Sequence, residues 1–159
     1  MIRMTKQADY GIVLLTRMAS EESRVFPATE LAETVHLPTP TVSKILKLLA
    51  RGGVLESHRG VKGGYCLARE PERITVAEII TALDGPIAIT ECIDDSPGEC
   101  AQEPVCAVRG NWQRINDGIR HALDAITLAE MAMPIAPIAA ASRLVTLGVS
   151  RPHDAETAR

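Results

Sequence analysis

The first fifty residues carry apolar side chains at the three- and four-residue intervals that are typical of amphipathic helices. A first helix is predicted over residues 5–20, capped by Thr5, with apolar positions at Tyr10, Val13, Leu14 and Met18. A second is predicted from Pro27 to Val35, capped by Thr29, with inward-facing Leu31, Ala32 and Val35.

A third helix is predicted over residues 39–51, after the tight break His36-Leu37-Pro38. Thr39 is its predicted cap, Pro40 stands where a missing N–H is not needed, and Gly52-Gly53 ends it. One face is apolar and is expected to pack inward: Val42, Ile45, Leu46 and Leu49. The other face is small and polar, then basic: Thr41, Ser43, Lys44 and Lys47.

The second and third helices, joined by the three-residue break, are predicted to form a helix-turn-helix, and a predicted β-hairpin follows them. Residues 54–59 and 65–68 are the strands, and the glycine-rich turn between them carries Arg59 and Lys62. A hairpin placed directly after a helix-turn-helix is a wing, whose cations can lie along the backbone or minor groove of DNA. The sequence therefore predicts a winged-helix DNA-binding domain, mainly α with a small β wing. Cys66, within the second strand, is expected to be a small buried apolar residue.

The predicted DNA-binding side chains lie on the third helix and the wing. Small polar residues at the start of a recognition helix can reach base edges, whereas lysines further along meet phosphates. On the helix alone, a solvated surface face explains the lysines equally well. The predicted set is Thr39, Thr41, Ser43, Lys44, Lys47, Arg59 and Lys62.

The second half of the chain predicts two more helices. Thr75 and Glu78 form a capping box that opens a helix over residues 76–83. A helix of about 20 residues is predicted from Val108, and its apolar stripe consists of Val108, Trp112, Ile115, Ile119, Leu123 and Ile126. Because the domain ahead of it is already complete, the stripe predicts a second copy of the chain and a homodimer. Such a dimer would present two recognition helices to a palindromic operator.

Three of the four cysteines, Cys92, Cys100 and Cys106, fall in one polar loop. Six carboxylates and no Lys or Arg lie between residues 84 and 106, and prolines and a glycine exclude regular structure there. Three thiols converging on a metal or cluster would constrain a loop that buries little. Unpaired cysteines in a flexible loop are the plain alternative. The predicted organisation is a DNA-binding domain over 1–84, a cysteine-rich loop over 85–106, a dimerisation helix over 107–133 and a loosely ordered tail over 134–159.

Composition narrows the class of protein. Hydrophobic residues make up 46% of the 159 residues but aromatics only 3%, which predicts an aliphatic core of packed helices. Residues 1–70 carry net charge +3 (ten Lys/Arg, seven Asp/Glu) and residues 71–159 carry −6 (seven and thirteen), so a nucleic-acid face is expected only in the first half. No apolar run is long enough for a membrane span, and the first residues lack a signal-peptide core, so a cytoplasmic protein with reduced thiols is expected.

Several motifs together resemble the IscR/NsrR-type family, winged-helix iron–sulfur regulators of bacteria. These are Met-Thr-Lys-Gln-Ala-Asp-Tyr-Gly over residues 4–11, Arg59-Gly60-x-x-Gly63-Gly64-Tyr65, Ile-Thr-Val-Ala-Glu-Ile-Ile over residues 74–80, and three cysteines ahead of a long helix. The resemblance covers residues 1 to about 133. The segment from Cys106 resembles most the branch that regulates the SUF iron–sulfur assembly operon.

The resemblance implies that Cys92, Cys100 and Cys106 ligate an iron–sulfur cluster, [2Fe–2S] rather than [4Fe–4S], and that the protein is a redox-sensing regulator of cluster-assembly genes. The assembly-regulator branch has a histidine three residues after the third cysteine, where this chain has Arg109. The nitric-oxide-sensing branch uses a carboxylate near the start of the first helix, supplied by the partner subunit, and Asp9 matches that position. Other candidates for the fourth ligand are Glu91, Asp95 and Glu103.

Three alternatives compete with this interpretation. A zinc ion on the same cysteines would make a structural DNA-binding protein without redox sensing. A nitric-oxide-responsive repressor would use the same cluster for a different signal. An enzyme is not expected, because the chain has no C-x-x-C pair, no Ser/His/Asp set and no phosphate loop, and its four histidines are dispersed.

Overall fold

The computed structural model describes residues 4–21, 23–60, 62–90, 92–93, 100 and 105–133. The predicted tail over 134–159 and half of the predicted cysteine loop over 85–106 lie outside the described residues. The elements follow in the order α1 (Lys6–Ala19), α2 (Ala28–Thr34), α3 (Thr39–Arg51), β1 (Leu55–His58), β2 (Gly64–Leu67), a single 3₁₀ turn (Pro71–Arg73), α4 (Val76–Asp84), α5 (Arg109–Asp124) and α6 (Leu128–Ala132).

The start of α1 confirms the predicted cap. The Thr5 hydroxyl accepts a hydrogen bond from the Ala8 N–H at 3.1 Å and donates one to the Asp84 carboxylate at 2.7 Å. One side chain therefore satisfies the first turn of α1 and ties it to the end of α4.

The caps predicted for α2 and α3 are wrong. Pro27 and Pro38 occupy the N-cap positions, so Thr29 and Thr39 already lie within the first turns of their helices. Each proline holds φ near −60° with an extended ψ, so the chain enters the helix directly after it without a side-chain cap. As a result, Thr39 is free of a capping role at the exposed start of α3.

The turn between α2 and α3 is tight. His36 adopts a left-handed φ of 55°, and the Leu37 N–H donates to the Ala32 carbonyl at 3.0 Å. This reversal lays α3 across α2. The predicted inward face of α3 is confirmed, since all four residues are at most 1% exposed: Val42, Ile45, Leu46 and Leu49.

The wing is an antiparallel pair in which Leu55 faces Leu67, Glu56 faces Cys66 and His58 faces Gly64. Phe26 adds a bridge on the outer side of β2, where its N–H donates to the Tyr65 carbonyl at 2.8 Å. Gly64 has to be glycine because a Cβ there would collide with the Phe26 main chain. The hairpin is therefore anchored to the helical core at one edge.

The core is aliphatic, as predicted, and gathers α1, α3, α4 and α6 around fully buried leucines and isoleucines. The predicted capping box of α4 is present: the Thr75 hydroxyl accepts from the Glu78 N–H, and the Glu78 carboxylate accepts from the Thr75 N–H. Gly11 lies where a Cβ would meet the Leu83 side chain, which brings α1 and α4 close together.

The single helix of about 20 residues predicted from Val108 is wrong at its C-terminal end. The helix α5 stops at Asp124, and a second capping box, Thr127 with Glu130, opens α6. Main-chain hydrogen bonds tie this break to the DNA-binding head, which consists of α1 to α4 and the wing. The Val76 N–H donates to the Ile126 carbonyl at 2.9 Å, and the Leu128 N–H donates to the Ile74 carbonyl at 2.8 Å. After this break, Leu128 lies in the core and is completely buried.

Candidate functional site

The three loop cysteines line one open cleft of about 590 Å³ beside the start of α5. Each of them is half-buried. The other walls of the cleft are mostly apolar and consist of Ala88, Ile89, Thr90 and Trp112. Cysteines well separated along the chain therefore line the same cleft.

The segment that leads into the cleft is fixed by Asn116. This side chain is only 2% exposed, in the middle of α5. Its Nδ2 donates to the Ile87 carbonyl at 2.9 Å, and its Oδ1 accepts from the Ile89 N–H at 3.2 Å. Both hydrogen-bonding sides of the amide are thus used to hold the main chain just before Cys92.

Asn116 is not among the site residues that the sequence predicts. A signal was present, because Asn116 follows Trp112 by four residues and precedes Ile119 by three, which places it on the apolar face of the helix. A lone amide on an apolar helical face requires buried hydrogen-bond partners.

The donor set of the cleft fits an iron–sulfur cluster. Thiolates are soft ligands that suit iron–sulfur clusters and zinc. Within the described ranges, the three thiols do not belong to any group of ligand atoms lying within 4.8 Å of one another. The same three thiolates would also suit a zinc ion, so the donor set is compatible with either group.

The immediate surroundings of the thiols are polar on one side. The Thr90 hydroxyl lies 3.4 Å from the Cys92 sulfur, within hydrogen-bonding range. The Arg109 N–H donates to the Cys106 carbonyl at 3.4 Å as α5 begins. Arg109 therefore occupies the position where the resemblance implies a histidine, next to the third cysteine.

Of the four candidates for a fourth ligand, only Asp9 lies among the described residues. Glu91, Asp95 and Glu103 lie outside the described residues. Asp9 is in the first turn of α1 and is exposed to solvent. Its carboxylate is therefore accessible to a second copy of the chain.

The predicted DNA-binding residues lie on the outer faces of α3 and the wing. Thr39, Lys44, Lys47, Arg59 and Lys62 are exposed, while Thr41 and Ser43 are half-buried. Among the residues described, the ion pairs involve Arg17, Arg24, Arg69 and Arg73, and none includes the two lysines of α3 or the two cations of the wing. Four cations without an intramolecular carboxylate can contact phosphate.

An apolar stripe on α5 is open to solvent in the single chain. Val108 is 49% exposed, Trp112 40% and Ile115 48%. Ile126, just beyond the helix, is 40% exposed. A contiguous set of large apolar side chains of this kind marks an interaction surface.

The family model for Rrf2, described as an iron-dependent transcriptional regulator, matches residues 4–134. The chain belongs to the Rrf2 family. Among curated Rrf2-type relatives, the regulator CymR of Bacillus subtilis is 30% identical over 132 residues, covering 82% of this chain and 90% of CymR. The regulator IscR of Cronobacter sakazakii is 27% identical over 131 residues, covering 82% of this chain and 80% of IscR.

Solved structures of Rrf2-type regulators share the fold. CymR of B. subtilis, described as the global cysteine regulator, superposes with a TM-score of 0.65 at 31% identity, covering 83% of this chain and 97% of that one. IscR of T. potens gives 0.60 at 27% identity, covering 82% and 85%. These likenesses confirm the predicted winged-helix fold and the predicted IscR-type resemblance.

Membership of the Rrf2 family makes this protein a transcriptional regulator of the helix-turn-helix type, and not an enzyme. The assignment to the branch that controls SUF assembly remains a prediction. No helix in the described part of the chain is long and apolar enough to cross a membrane.

Proposed function

We propose that this Rrf2 regulator is a cytoplasmic homodimer whose binding to a palindromic operator depends on an iron–sulfur cluster held by Cys92, Cys100 and Cys106. The observation that carries the proposal is the shared cleft, which the three thiols line beside the start of α5. By resemblance, the cluster is [2Fe–2S] and the target genes are those for cluster assembly.

The DNA side of the proposal rests on α3 and the wing. The exposed Thr39, with Thr41 and Ser43, would face base edges in the major groove, and the exposed Lys44 and Lys47 would meet phosphates. Arg59 and Lys62 would add phosphate or minor-groove contacts from the wing.

The dimer side rests on the open apolar stripe of α5. A second copy related by a two-fold axis would cover Trp112 and Ile115 with the same residues of its own helix. Two winged helices held in this way would present their recognition helices to successive major grooves on one face of the DNA.

The residues between the cleft and the head connect the two ends of α5. Asn116 holds the segment before Cys92 against the middle of the helix. Near the end of the helix, the Thr75 hydroxyl donates to the Asp124 carboxylate at 3.4 Å, and the Val76 N–H donates to the Ile126 carbonyl at 2.9 Å. A change in the cysteine segment therefore reaches both the dimer helix and the base of the DNA-binding head.

A cluster at this site would supply one-electron redox chemistry and sensitivity to oxidants or nitric oxide. The chain's own residues set its environment. Asp9 of the partner subunit, Glu91, Asp95 or Glu103 would complete the ligand set, and an oxygen ligand would make the site more labile than a fourth thiolate. Arg109 would bring positive charge next to Cys106.

Anaerobic purification followed by absorption spectroscopy and counts of iron, acid-labile sulfide and zinc tests the proposal. The matched pair is Cys100→Ser, inside the cleft, and Cys66→Ser, on the wing. We expect coloured protein with iron and sulfide, lost in Cys100→Ser and kept in Cys66→Ser. Colourless protein that loses one equivalent of zinc in Cys100→Ser would overturn the cluster and support the zinc-stabilised alternative, whatever zinc Cys66→Ser retains.

A further inference from the structure

The wing carries a second group of metal-ligating side chains, far along the chain from the cysteine cleft. Glu56 and His58 are two residues apart on β1, so both side chains lie on the same face of the hairpin. Cys66 stands directly opposite Glu56 on β2 and therefore shares that face. The register of the hairpin thus brings a carboxylate, an imidazole and a thiol together.

The ligand atoms of these three side chains all lie within 4.8 Å of one another. The His58 Nε2 is 3.2 Å from the Cys66 sulfur. Metal–ligand bonds of about 2.0–2.3 Å in tetrahedral geometry separate neighbouring ligand atoms by about 3.5 Å. The three atoms therefore already span a distance that one ion can bridge with small side-chain rotations.

The residue opposite His58 makes this approach possible. Gly64 pairs with His58 across the hairpin and has no side chain, so the imidazole can lean diagonally towards Cys66. A Cβ on Gly64 would collide with the Phe26 carbonyl, so this position stays glycine.

These three wing side chains are accessible from solvent, because Glu56 and His58 are exposed and Cys66 is half-buried. Burial raises the pKa of the Cys66 thiol, and the Glu56 carboxylate raises it further. A divalent cation reverses this balance, since it attracts both the thiolate and the carboxylate. The arrangement of a hard, a borderline and a soft donor is one that zinc accepts.

We propose that the wing binds one divalent metal ion of the zinc class through the Glu56 carboxylate, the His58 Nε2 and the Cys66 thiolate, with water as the fourth ligand. Binding displaces the thiol proton to solvent. The group then changes from a net charge of about −1, with a neutral thiol, to about 0, with a thiolate, a carboxylate and the ion. The wing that carries Arg59 and Lys62 becomes more positive by one unit, which favours contact with phosphate.

The test uses the full-length chain with Cys92, Cys100 and Cys106 all replaced by serine, so that Cys66 is the one remaining thiol. Cobalt(II) is the probe, because a thiolate bound to it gives a charge-transfer absorption band. We expect one equivalent to bind with such a band and zinc to displace it. Cys66→Ser should abolish the band, and His58→Asn or Glu56→Gln should weaken cobalt binding at least tenfold.

Ser57→Ala is the matched control, since Ser57 lies on the opposite face of β1 and should leave cobalt binding unchanged. Far-ultraviolet circular dichroism of each variant checks that the wing domain is folded. If the serine background unfolds, the same comparison is made in the wild-type chain, where Cys66→Ser should bind one equivalent less. An absent band, or one that persists in His58→Asn and Glu56→Gln, overturns the site and leaves the cysteine cleft unaffected.

The link to DNA is measured in the chain with Cys92, Cys100 and Cys106 intact, because the proposed operator binding depends on them. Zinc should raise the affinity for double-stranded DNA several-fold relative to chelator, and Cys66→Ser should remove this increase. If zinc binds to the wing but the affinity for DNA is the same with zinc and with chelator, the link between the wing ion and DNA is overturned.

Discussion

The side-chain amide of Asn116 donates a hydrogen bond of 2.9 Å to the main-chain carbonyl of Ile87. This bond joins the middle of α5 to the segment that runs into the cysteine cleft. Because Trp112, one turn earlier on the same helix, lines that cleft, the helix forms one wall of the cleft and also holds the chain that enters it.

Asn116→Leu tests this connection. The substitution leaves the Ile87 carbonyl and the Ile89 N–H without partners, which we expect to destabilise the fold by about 1–3 kcal/mol. The proposed cluster should also decay faster in air, because the segment before Cys92 is released. Urea denaturation and the decay of cluster absorbance measure the two effects. Gln113→Leu, on the exposed side of the same helix, is the control. If the cluster absorbance decays at the same rate in both variants, Asn116 does not stabilise the cluster site.

Replacing single cations and hydroxyls on α3 distinguishes phosphate contacts from base contacts. Lys44→Ala or Lys47→Ala should weaken binding to all sequences and reduce the salt slope by about one. Thr41→Ala or Ser43→Ala should instead change sequence preference. Binding titrations at several salt concentrations, on matched and altered operators, provide the measurement. Arg114→Ala, on α5, is the control for loss of a positive charge alone. Unchanged binding in all four α3 variants would mean that the DNA interface lies elsewhere.

Asp9→Ala separates two roles of one carboxylate. A ligand contributed to the partner's cluster predicts an altered spectrum, faster decay and loss of cluster-dependent DNA affinity, with little change in the stability of the apo-protein. A carboxylate that only stabilises the N-terminal end of α1 predicts a loss of about 0.5 kcal/mol with the spectrum intact. Absorption and thermal unfolding of the same samples decide between them. An intact spectrum would direct the search to Glu91, Asp95 and Glu103.

Ile115→Glu tests the dimer surface. The side chain is 48% exposed in the single chain, so the monomer should fold, whereas burying a charge in the proposed interface should prevent association. Sedimentation velocity should show a monomer, and binding to a palindromic operator should fall towards that of a half-site. Gln113→Glu adds the same charge at an exposed position of α5 and should remain dimeric. A dimer in Ile115→Glu would contradict the proposed interface.

Leu128→Ala tests whether α6 belongs to the DNA-binding head. Leu128 is fully buried against α1 and its neighbours, so the cavity should cost about 2–5 kcal/mol of unfolding free energy. Met131→Ala, on the same short helix but 41% exposed, should cost much less. Urea denaturation followed by circular dichroism gives both values. Similar small losses would mean that α6 can detach without affecting the head.

The local elements of this protein are largely determined by its sequence. The spacing of Val42, Ile45, Leu46 and Leu49 was enough to predict the buried face of α3, because an amphipathic helix turns its apolar stripe towards the core. The Thr75–Glu78 capping box and the glycine-rich wing were predictable for the same reason, since their bonds join residues a few positions apart.

The N-caps of α2 and α3 could not be predicted from the sequence, because proline and threonine stand close together at the start of each helix. Threonine and proline both favour helix starts, and here the prolines at 27 and 38 hold the N-cap while each threonine moves one or two positions into the helix.

Tertiary structure decided the features that join distant segments. The end of α5 follows from hydrogen bonds between residues 126–128 and 74–76, and the burial of Asn116 follows from a main chain almost thirty residues earlier. Cys66, predicted as buried, is only half-buried, because the hairpin register sets it opposite Glu56 and beside His58. Each of these depends on which surfaces meet, and a one-residue change of register would send the same side chains to the opposite face.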